Sequence, residues 1–169
     1  MPIPTWAVGQ VLAAADVNSW MVPLDINKAA DQSITSNATP ANDNTLVQAV
    51  PANVKYRFEC VIFYSGGTQG SADIKFQFAV PASATYKCTV CFINTSGVQI
   101  AEIYNDDTVT PALQAGTAGA GNKRAILMKG TVTIGGTAGN FAFQWAQGTS
   151  NGTATTVHAD SYLHLRRVA

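Results

Sequence analysis

Both histidines of the chain lie near its end, and they are the first residues to consider for chemistry. His158 and His164 are six residues apart. On one strand that spacing puts them on the same face but about 20 Å apart, at roughly 3.3 Å per residue. They cannot bind one metal ion, and the sequence sets no nucleophile with an orienting partner beside either imidazole. We interpret the segment as a half-buried strand whose polar outer or intersubunit face carries His158, Tyr162, His164 and Arg166.

Three other motifs resemble chemical sites without completing them. Cys88 and Cys91 have C-x-x-C spacing, but zinc needs four ligands, and strand residues three apart face opposite ways. The stretch "GTAGAGNK" (116–123) lacks the Lys-Ser/Thr ending and the following helix of a phosphate loop. The adjacent pair Asp106–Asp107 is typical of a solvated turn, and Glu59 and Glu102 fall in strands with no defined separation. We therefore predict no catalytic, metal-binding or cofactor-binding residues, no cofactor and no enzymatic activity.

The elements that would position such residues are strands. In "DIKFQFAV" (73–80) the apolar Ile74, Phe76, Phe78 and Val80 alternate with polar residues, a period typical of a strand with one buried face. Segments with the same rhythm, or bounded by similar turns, are 31–36, 44–50, 55–64, 86–93, 98–104, 125–134, 140–146 and 154–167. Strands at about 8–12-residue spacing without a long helical pattern predict an all-β fold, an antiparallel β-sandwich or jelly roll.

The composition limits the size of the fold and the choice of partners. The 169 residues have room for one domain with a short appendage, and 47% of them are hydrophobic, enough for a packed core. Only 12% are charged, and ten basic residues balance ten acidic ones. Without a basic excess, nucleic acid and membrane surfaces are disfavoured as partners, and weak self-repulsion suits a protein held in an assembly. No signal peptide or membrane span is evident, and three cysteines suit reduced thiols, so we expect synthesis in a cytoplasm.

The first 24 residues differ from the rest of the chain. The stretch "LAAADVNSWMVPL" (12–24) repeats apolar residues at the spacing of one helical face, and Pro23 should end that helix. Two turns of helix are not stable alone in water, so its apolar face must dock on something. We predict an N-terminal anchoring arm with a short helix over 1–30 and a β-sandwich body over 31–169. The predicted anchoring residues are Trp6, Val17, Trp20, Met21 and Leu24.

The N-terminal stretch "TWAVGQVLAAADVNSWMVPLD" follows the pattern T-W-x-x-G-x-x-x-x-A-x-x-x-N, met by Thr5, Trp6, Gly9, Ala14 and Asn18. It resembles the opening of small structural proteins of tailed bacteriophages and prophages, especially those of actinobacteria. The segments "YSGGTQGSADIKFQFAVPA", "GTAGAGNKRAILMKGTV" and "FQWAQGTSNGTATTVHADSYLHLRRV" resemble the body of the same group, so the resemblance covers nearly the whole chain. It implies a virion component, either a head decoration or head-fibre protein or a minor tail protein. It also implies a homotrimer similar to viral knob domains.

These expectations combine into one leading hypothesis and one alternative. The leading hypothesis is a homotrimeric capsid decoration or head-fibre protein on the virion surface, which the arm 1–30 attaches to the major capsid protein. The alternative is a minor tail protein that binds a host receptor or cell-surface glycan, with the long loop 105–123 as the contact. In both cases the partners are sister subunits and other virion proteins.

Overall fold

In the computed structural model, two antiparallel β-sheets pack against each other around one core. The structure describes residues 7–11, 13–14, 17–18, 23–104 and 112–168, with only the backbone of 102–104. The strands, in chain order, are β1 (Leu24–Asn27), β2 (Gln32–Ile34), β3 (Ala41–Val50), β4 (Lys55–Ser65), β5 (Ile74–Ala79), β6 (Thr85–Ile93), β7 (Gln99–Tyr104), β8 (Leu113–Ala115), β9 (Arg124–Thr133), β10 (Gly139–Gln147), β11 (Thr155–Val157) and β12 (Tyr162–Arg167). The predicted all-β, antiparallel fold is confirmed.

The strand pairing is that of a jelly roll. The larger sheet has the order β1-β12-β4-β9-β6-β7, with β11 pairing β2 and β4, and the smaller sheet has the order β3-β10-β5-β8. The first strands pair with the last (β1 with β12, β2 with β11), then β3 with β10, β4 with β9 and β5 with β8. This nesting of early strands with late ones is the double Greek key of a jelly roll. The hairpin β6–β7 is the innermost pair of this nest and completes the larger sheet beyond β9.

The alternation read from the sequence places apolar side chains from both sheets in the core. Ile74, Phe76 and Phe78 are all buried, as their spacing predicts. Phe78 and Phe141 of the smaller sheet stack with ring centroids 4.7 Å apart, and both contact Phe58 of the larger sheet at 5.2 Å. Burial of each such ring contributes roughly 1.5–3 kcal/mol. These contacts hold the two sheets together.

A buried ion pair links the two sheets at one edge. Lys28 follows β1 and Asp43 lies in β3, and their charged side chains are completely inaccessible to solvent, 2.9 Å apart. Lys28 Nζ also donates to Gln32 and Asn44, and Trp145 Nε1 of β10 donates to Asp43 Oδ2 at 3.0 Å. Nothing in the sequence pattern marked Lys28 or Asp43 as interior residues. Burial of the pair is tolerated because the Lys28 ammonium and both carboxylate oxygens of Asp43 have hydrogen-bond partners.

Three short features differ from the predicted elements. β1 lies inside the predicted arm, so residues 24–27 belong to the larger sheet, and Leu24 packs against the core. β8 lies inside the predicted loop 105–123. The predicted continuous strand 154–167 is interrupted between β11 and β12, where Asp160 has a φ of 67°. β1, β8 and β11 are only three or four residues long, too short for a clear periodic signal.

The described helical residues are Ala14, Val17 and Asn18. Val17 N donates to Ala13 O at 3.2 Å, the spacing of an α-helical bond. This fragment does not establish the predicted helix, whose anchors Trp20 and Met21, like Trp6, lie outside the described residues. Among the described residues, no helix has the length and apolar character needed to cross a membrane.

Candidate functional site

The described part of the N-terminal segment exposes its apolar side chains. Val8 and Val11 are fully or almost fully accessible, at 109% and 90% of the reference value. Gln10 and Ala7 bond to each other around Gly9, whose φ of 84° suits a glycine turn. Val17 is half-buried. Exposed valines at one end of a chain that buries its core completely are available for contact with another molecule.

His158 does have an acid and a hydroxyl beside it, which no spacing in the sequence indicates. Its Nδ1 lies 2.9 Å from Asp31 Oδ2, and its Nε2 lies 2.8 Å from Ser65 Oγ. Asp31 Oδ1 also accepts the amide hydrogen of Ala159, and this bond, with the His158 contact, lowers the pKa of Asp31. The chain of contacts from acid to imidazole to hydroxyl is the arrangement of a hydrolytic triad.

The surroundings of Ser65 argue against catalysis by these residues. Ser65 and His158 are only 5% and 7% exposed. Burial to this degree leaves little of the Ser65 hydroxyl accessible to a substrate carbonyl. The cluster joins the start of β2 to the ends of β4 and β11, and we interpret it as structural.

The interruption after β11 also corrects the predicted polar face. Tyr162, His164 and Arg166 do point outward from β12, since Leu163 and Leu165 between them are completely buried. His158 does not share this face: it lies in the turn before β12 and is itself buried. The prediction assumed one continuous strand, in which residues two apart share a face, and so placed His158 with Tyr162. Asp160, with its left-handed φ of 67°, interrupts that alternation.

A row of charged residues crosses the outer face of the larger sheet. Asp25, His164, Glu59 and Lys129 are opposite one another in register on β1, β12, β4 and β9. Lys129 Nζ lies 3.0 Å from Glu59 Oε2, and the Tyr162 hydroxyl donates to Glu59 Oε1 at 2.9 Å. These two bonds lower the pKa of Glu59. His164 Nε2 is 3.9 Å from Asp25 Oδ1, and its ring packs 4.5 Å from that of Tyr162.

A groove of about 460 Å³ opens beside this row. Its lining comprises Pro23, Asp25, Arg57, Phe58, Glu59, Lys129, Gly130, His164, Leu165 and Arg166. Arg57 of β4 and Arg166 of β12 are opposite each other in register, and both are exposed. The alternation of "KYRFEC" (55–60) places Arg57 outward, but only the strand order reveals that it faces a second arginine.

A smaller polar cavity of about 220 Å³ lies among loops at the other end of the sandwich. It is lined by Gly70, Ser71, Asp73, Thr95, Gln114, Gly148 and Thr149. Asp73 is 4% exposed. Its carboxylate accepts hydrogen bonds from the amides of Gly70 and Thr117 and from the Thr117 hydroxyl. These bonds tie the β4–β5 loop to the segment after β8. Gln114 comes from the predicted loop 105–123, of which 105–111, with Asp106 and Asp107, lie outside the described residues.

The cysteines lack the environment of a redox or metal site. All three are free, with Cys60 and Cys88 buried and Cys91 half-buried. Burial raises the pKa of the Cys60 thiol well above its ordinary value and that of Cys88 to about 11. Cys88 faces the core and Cys91 the outer surface, as expected for strand residues three apart. Within the described residues, no group of three or more His, Cys, Asp or Glu side chains is placed to hold a metal ion.

The glycine-rich stretch 116–123 is not followed by a helix. It runs directly into β9 at Arg124. Its Gly116 carbonyl accepts hydrogen bonds from the Tyr64 hydroxyl and from Arg124 Nη1, both at 2.8 Å. Thr117 is completely buried and bonds to Asp73. This loop is therefore part of the packed end of the sandwich and lacks the helix of a phosphate-binding loop.

No protein-family model and no curated protein sequence matches this chain. Among solved structures, it is similar to the tripod (BppUct-A-L) from the baseplate of bacteriophage Tuc2009, at 10% identity and a TM-score of 0.37, over 98% of this chain and 73% of that one. It is also similar to the VP2 subviral particle of infectious bursal disease virus, at 14% identity and a TM-score of 0.22, over 99% of this chain and 46% of that one. A structure of the Gt strain of the same virus gives 12% identity and a TM-score of 0.23, over 86% and 42%. Similarities at this level establish no family for the chain.

Proposed function

We propose that this chain is a bacteriophage virion structural protein without enzymatic activity. In this proposal it is a homotrimer that decorates the capsid surface and attaches through its N-terminal segment. The observation that carries the proposal is the contrast between the two parts of the chain. The jelly roll buries its own apolar core, whereas the preceding segment presents Val8 and Val11 to solvent. Such side chains stabilise a complex only when a partner covers them.

The sequence supports the same proposal. The segment that carries the exposed valines also carries the pattern of Thr5, Trp6, Gly9, Ala14 and Asn18, which resembles the opening of phage structural proteins. Among the described residues, the first strand of the body begins at Leu24. Residues 1–22 are therefore the attachment segment in this proposal, slightly shorter than the predicted arm.

The test is binding to virions of the encoding phage prepared from a mutant that lacks this protein. Deletion of residues 1–22 should abolish cosedimentation with such virions and leave the cooperative unfolding of the body intact. The double variant Val8→Asp/Val11→Asp should weaken cosedimentation strongly. Val98→Asp is the matched control, because Val98 is an exposed valine in the β6–β7 turn. Retained binding after the deletion would contradict attachment through this segment.

Two further measurements separate the finer parts of the proposal. Sedimentation velocity of the full chain should give the mass of three subunits, and a monomeric mass would contradict the trimer. Electron microscopy of labelled virions should place the protein on the capsid, and density confined to the tail would contradict the capsid location. Either result leaves a virion component as the proposed class.

The polar cavity around Asp73 favours a second candidate function, a minor tail protein that binds a cell-surface glycan. A carboxylate, an amide and several hydroxyls converge there, and such groups recognise sugar hydroxyls. Binding on a glycan array that is lost in Gln114→Ala and Thr149→Ala variants would favour this candidate. An array without any bound glycan would contradict it.

A further inference from the structure

Two arginines face each other on the outer surface of the larger sheet. Arg57 and Arg166 are opposite in register on adjacent antiparallel strands, and both line the groove beside Asp25 and Glu59. Side chains at opposite positions have Cβ atoms about 4.5–5.5 Å apart, and like charges in such a pair are destabilising. The sheet therefore carries two like charges at opposite register positions beside the groove of about 460 Å³.

The carboxylates that could neutralise this pair are engaged elsewhere. Glu59 is bonded to Lys129 and Tyr162, and Asp25 lies beside His164. Within the described part of the chain, neither Arg57 nor Arg166 has a hydrogen-bond or ion-pair partner. In a chain with only 12% charged residues, two unpaired cations at one register position mark a point where an external anion would be stabilised.

The geometry points to an anion-binding site in which Arg57 and Arg166 hold the carboxylate or phosphate group of an anionic saccharide. Guanidinium groups are planar forks of donors that pair with the oxygens of carboxylate and phosphate. A bound anion relieves the repulsion between the two arginines as well as adding its own contacts. This inference goes beyond the structural role proposed above and does not depend on it.

The rest of the groove favours a saccharide over a simple polyanion. The carboxylates of Asp25 and Glu59 line the same groove and would repel a ligand that is negatively charged throughout. Both would accept hydrogen bonds from ligand hydroxyls. A volume of about 460 Å³ falls within the range of small-molecule sites, roughly 300–1,000 Å³. One anionic group with several hydroxyls satisfies both kinds of residue.

The experiment is calorimetric titration of the full chain at low ionic strength with glucuronate, glucose 1-phosphate and inorganic phosphate. We expect saturable binding of at least one of the two saccharides, tighter than that of inorganic phosphate and weakened by added salt. The double variant Arg57→Gln/Arg166→Gln should bind it at least tenfold more weakly. Lys75→Gln is the matched control, because Lys75 lies on the smaller sheet, and it should bind as the wild type does.

A second readout excludes a purely structural role for the pair. The double variant removes a repulsion, so without ligand it should be at least as resistant to denaturant as the wild type while binding more weakly. Absence of saturable saccharide binding, or equal binding by the double variant, would overturn the inference. Phosphate binding alone would mean an adventitious ion only. A changed oligomeric mass in the double variant, with unchanged binding, would assign the arginines to a subunit contact instead, as predicted from the sequence for Arg166.

Discussion

The carboxylate of Asp43 lies in the interior and has several hydrogen-bond donors around it. It accepts hydrogen bonds from Lys28, from the amides of Thr45 and Leu46, and from the indole of Trp145. Asp43→Ala would leave Lys28 charged and without its counter-ion at 1% exposure. Removing one partner of a buried pair costs about 3–5 kcal/mol. We expect that loss in the free energy of unfolding, measured by urea denaturation.

The control for this prediction is Asp25→Asn on the outer face. Asp25 lies 3.9 Å from His164, and both side chains are nearly half exposed. Such surface pairs contribute roughly 0–1 kcal/mol, so this variant should unfold nearly as the wild type does. Equal losses of unfolding free energy in the two variants would contradict the prediction that burial makes the loss of the Lys28–Asp43 pair costly.

Acid should destabilise the fold through Asp31 and Glu59. The pKa of Asp31 is lowered by the Ala159 amide and then by His158, and that of Glu59 by Lys129 and then by Tyr162. A carboxyl with a depressed folded-state pKa contributes stability that is present above its unfolded value and is lost as pH falls through the folded value. The window therefore lies below about pH 4.5.

The measurement is the midpoint of urea unfolding between pH 6 and pH 2.5. In the double variant Asp31→Asn/Glu59→Gln the midpoint should fall less steeply below about pH 4.5 than in the wild type, because fewer carboxyls are protonated on unfolding. An identical pH dependence in the two proteins would contradict the contribution of these contacts. The comparison uses slopes, so a uniform change in stability does not affect it.

Gly130 of β9 lies against the backbone of β6 with no room for a side chain. An added Cβ there would lie 2.0 Å from Lys87 O and 2.8 Å from Cys88 Cα, distances that the backbone of β6 cannot accommodate without moving. Gly130→Ala should therefore destabilise the fold by about 1–3 kcal/mol, the usual cost of overpacking. Gly136 in the β9–β10 turn is the control, since an added Cβ has no neighbour within 4 Å. A loss no greater than that of Gly136→Ala would contradict the close approach.

How far the elements could be predicted depends on their length. The alternation in 73–80 and 55–64 identified β5 and β4 and their buried faces, because six or more residues of period two give an unambiguous signal. β1 and β8 offer four and three residues, and their strand character comes from pairing with β12 and β5. Tertiary pairing of this kind leaves no local trace in the sequence.

Prediction of the candidate sites depended even more on knowing which strands pair. The sequence placed Tyr162, His164 and Arg166 on one outward face, which the structure shows. His158 contacts both Asp31 and Ser65, although more than thirty residues separate each of the three from the next along the chain. Arg57 meets Arg166 only because β4 and β12 are neighbours. Such juxtapositions follow from strand order, which periodicity does not determine.

At the scale of the whole molecule, the two ends of the body are adjacent. Leu24 of β1 is opposite Leu165 of β12, so a short linker can join the two ends of the body without moving a strand. A circular permutant that joins 168 to 24 through a short Gly-Ser linker, with new ends after Gly136, should keep every strand pair. The new ends fall in a turn with open space around it, where interruptions are tolerated best.

We expect this permutant, which also lacks residues 1–22, to unfold cooperatively with the far-ultraviolet circular dichroism of the original body. Its free energy of unfolding should drop only modestly. The permutation adds one short connection, the linker, and removes one, the β9–β10 turn, so the number of chain connections is unchanged. The matched comparison opens the chain between Val61 and Ile62 in the middle of β4, the strand bonded to both β12 and β9. That version should fail to fold. If both permutants fold, or neither does, the nested pairing of first strands with last is not what determines the structure.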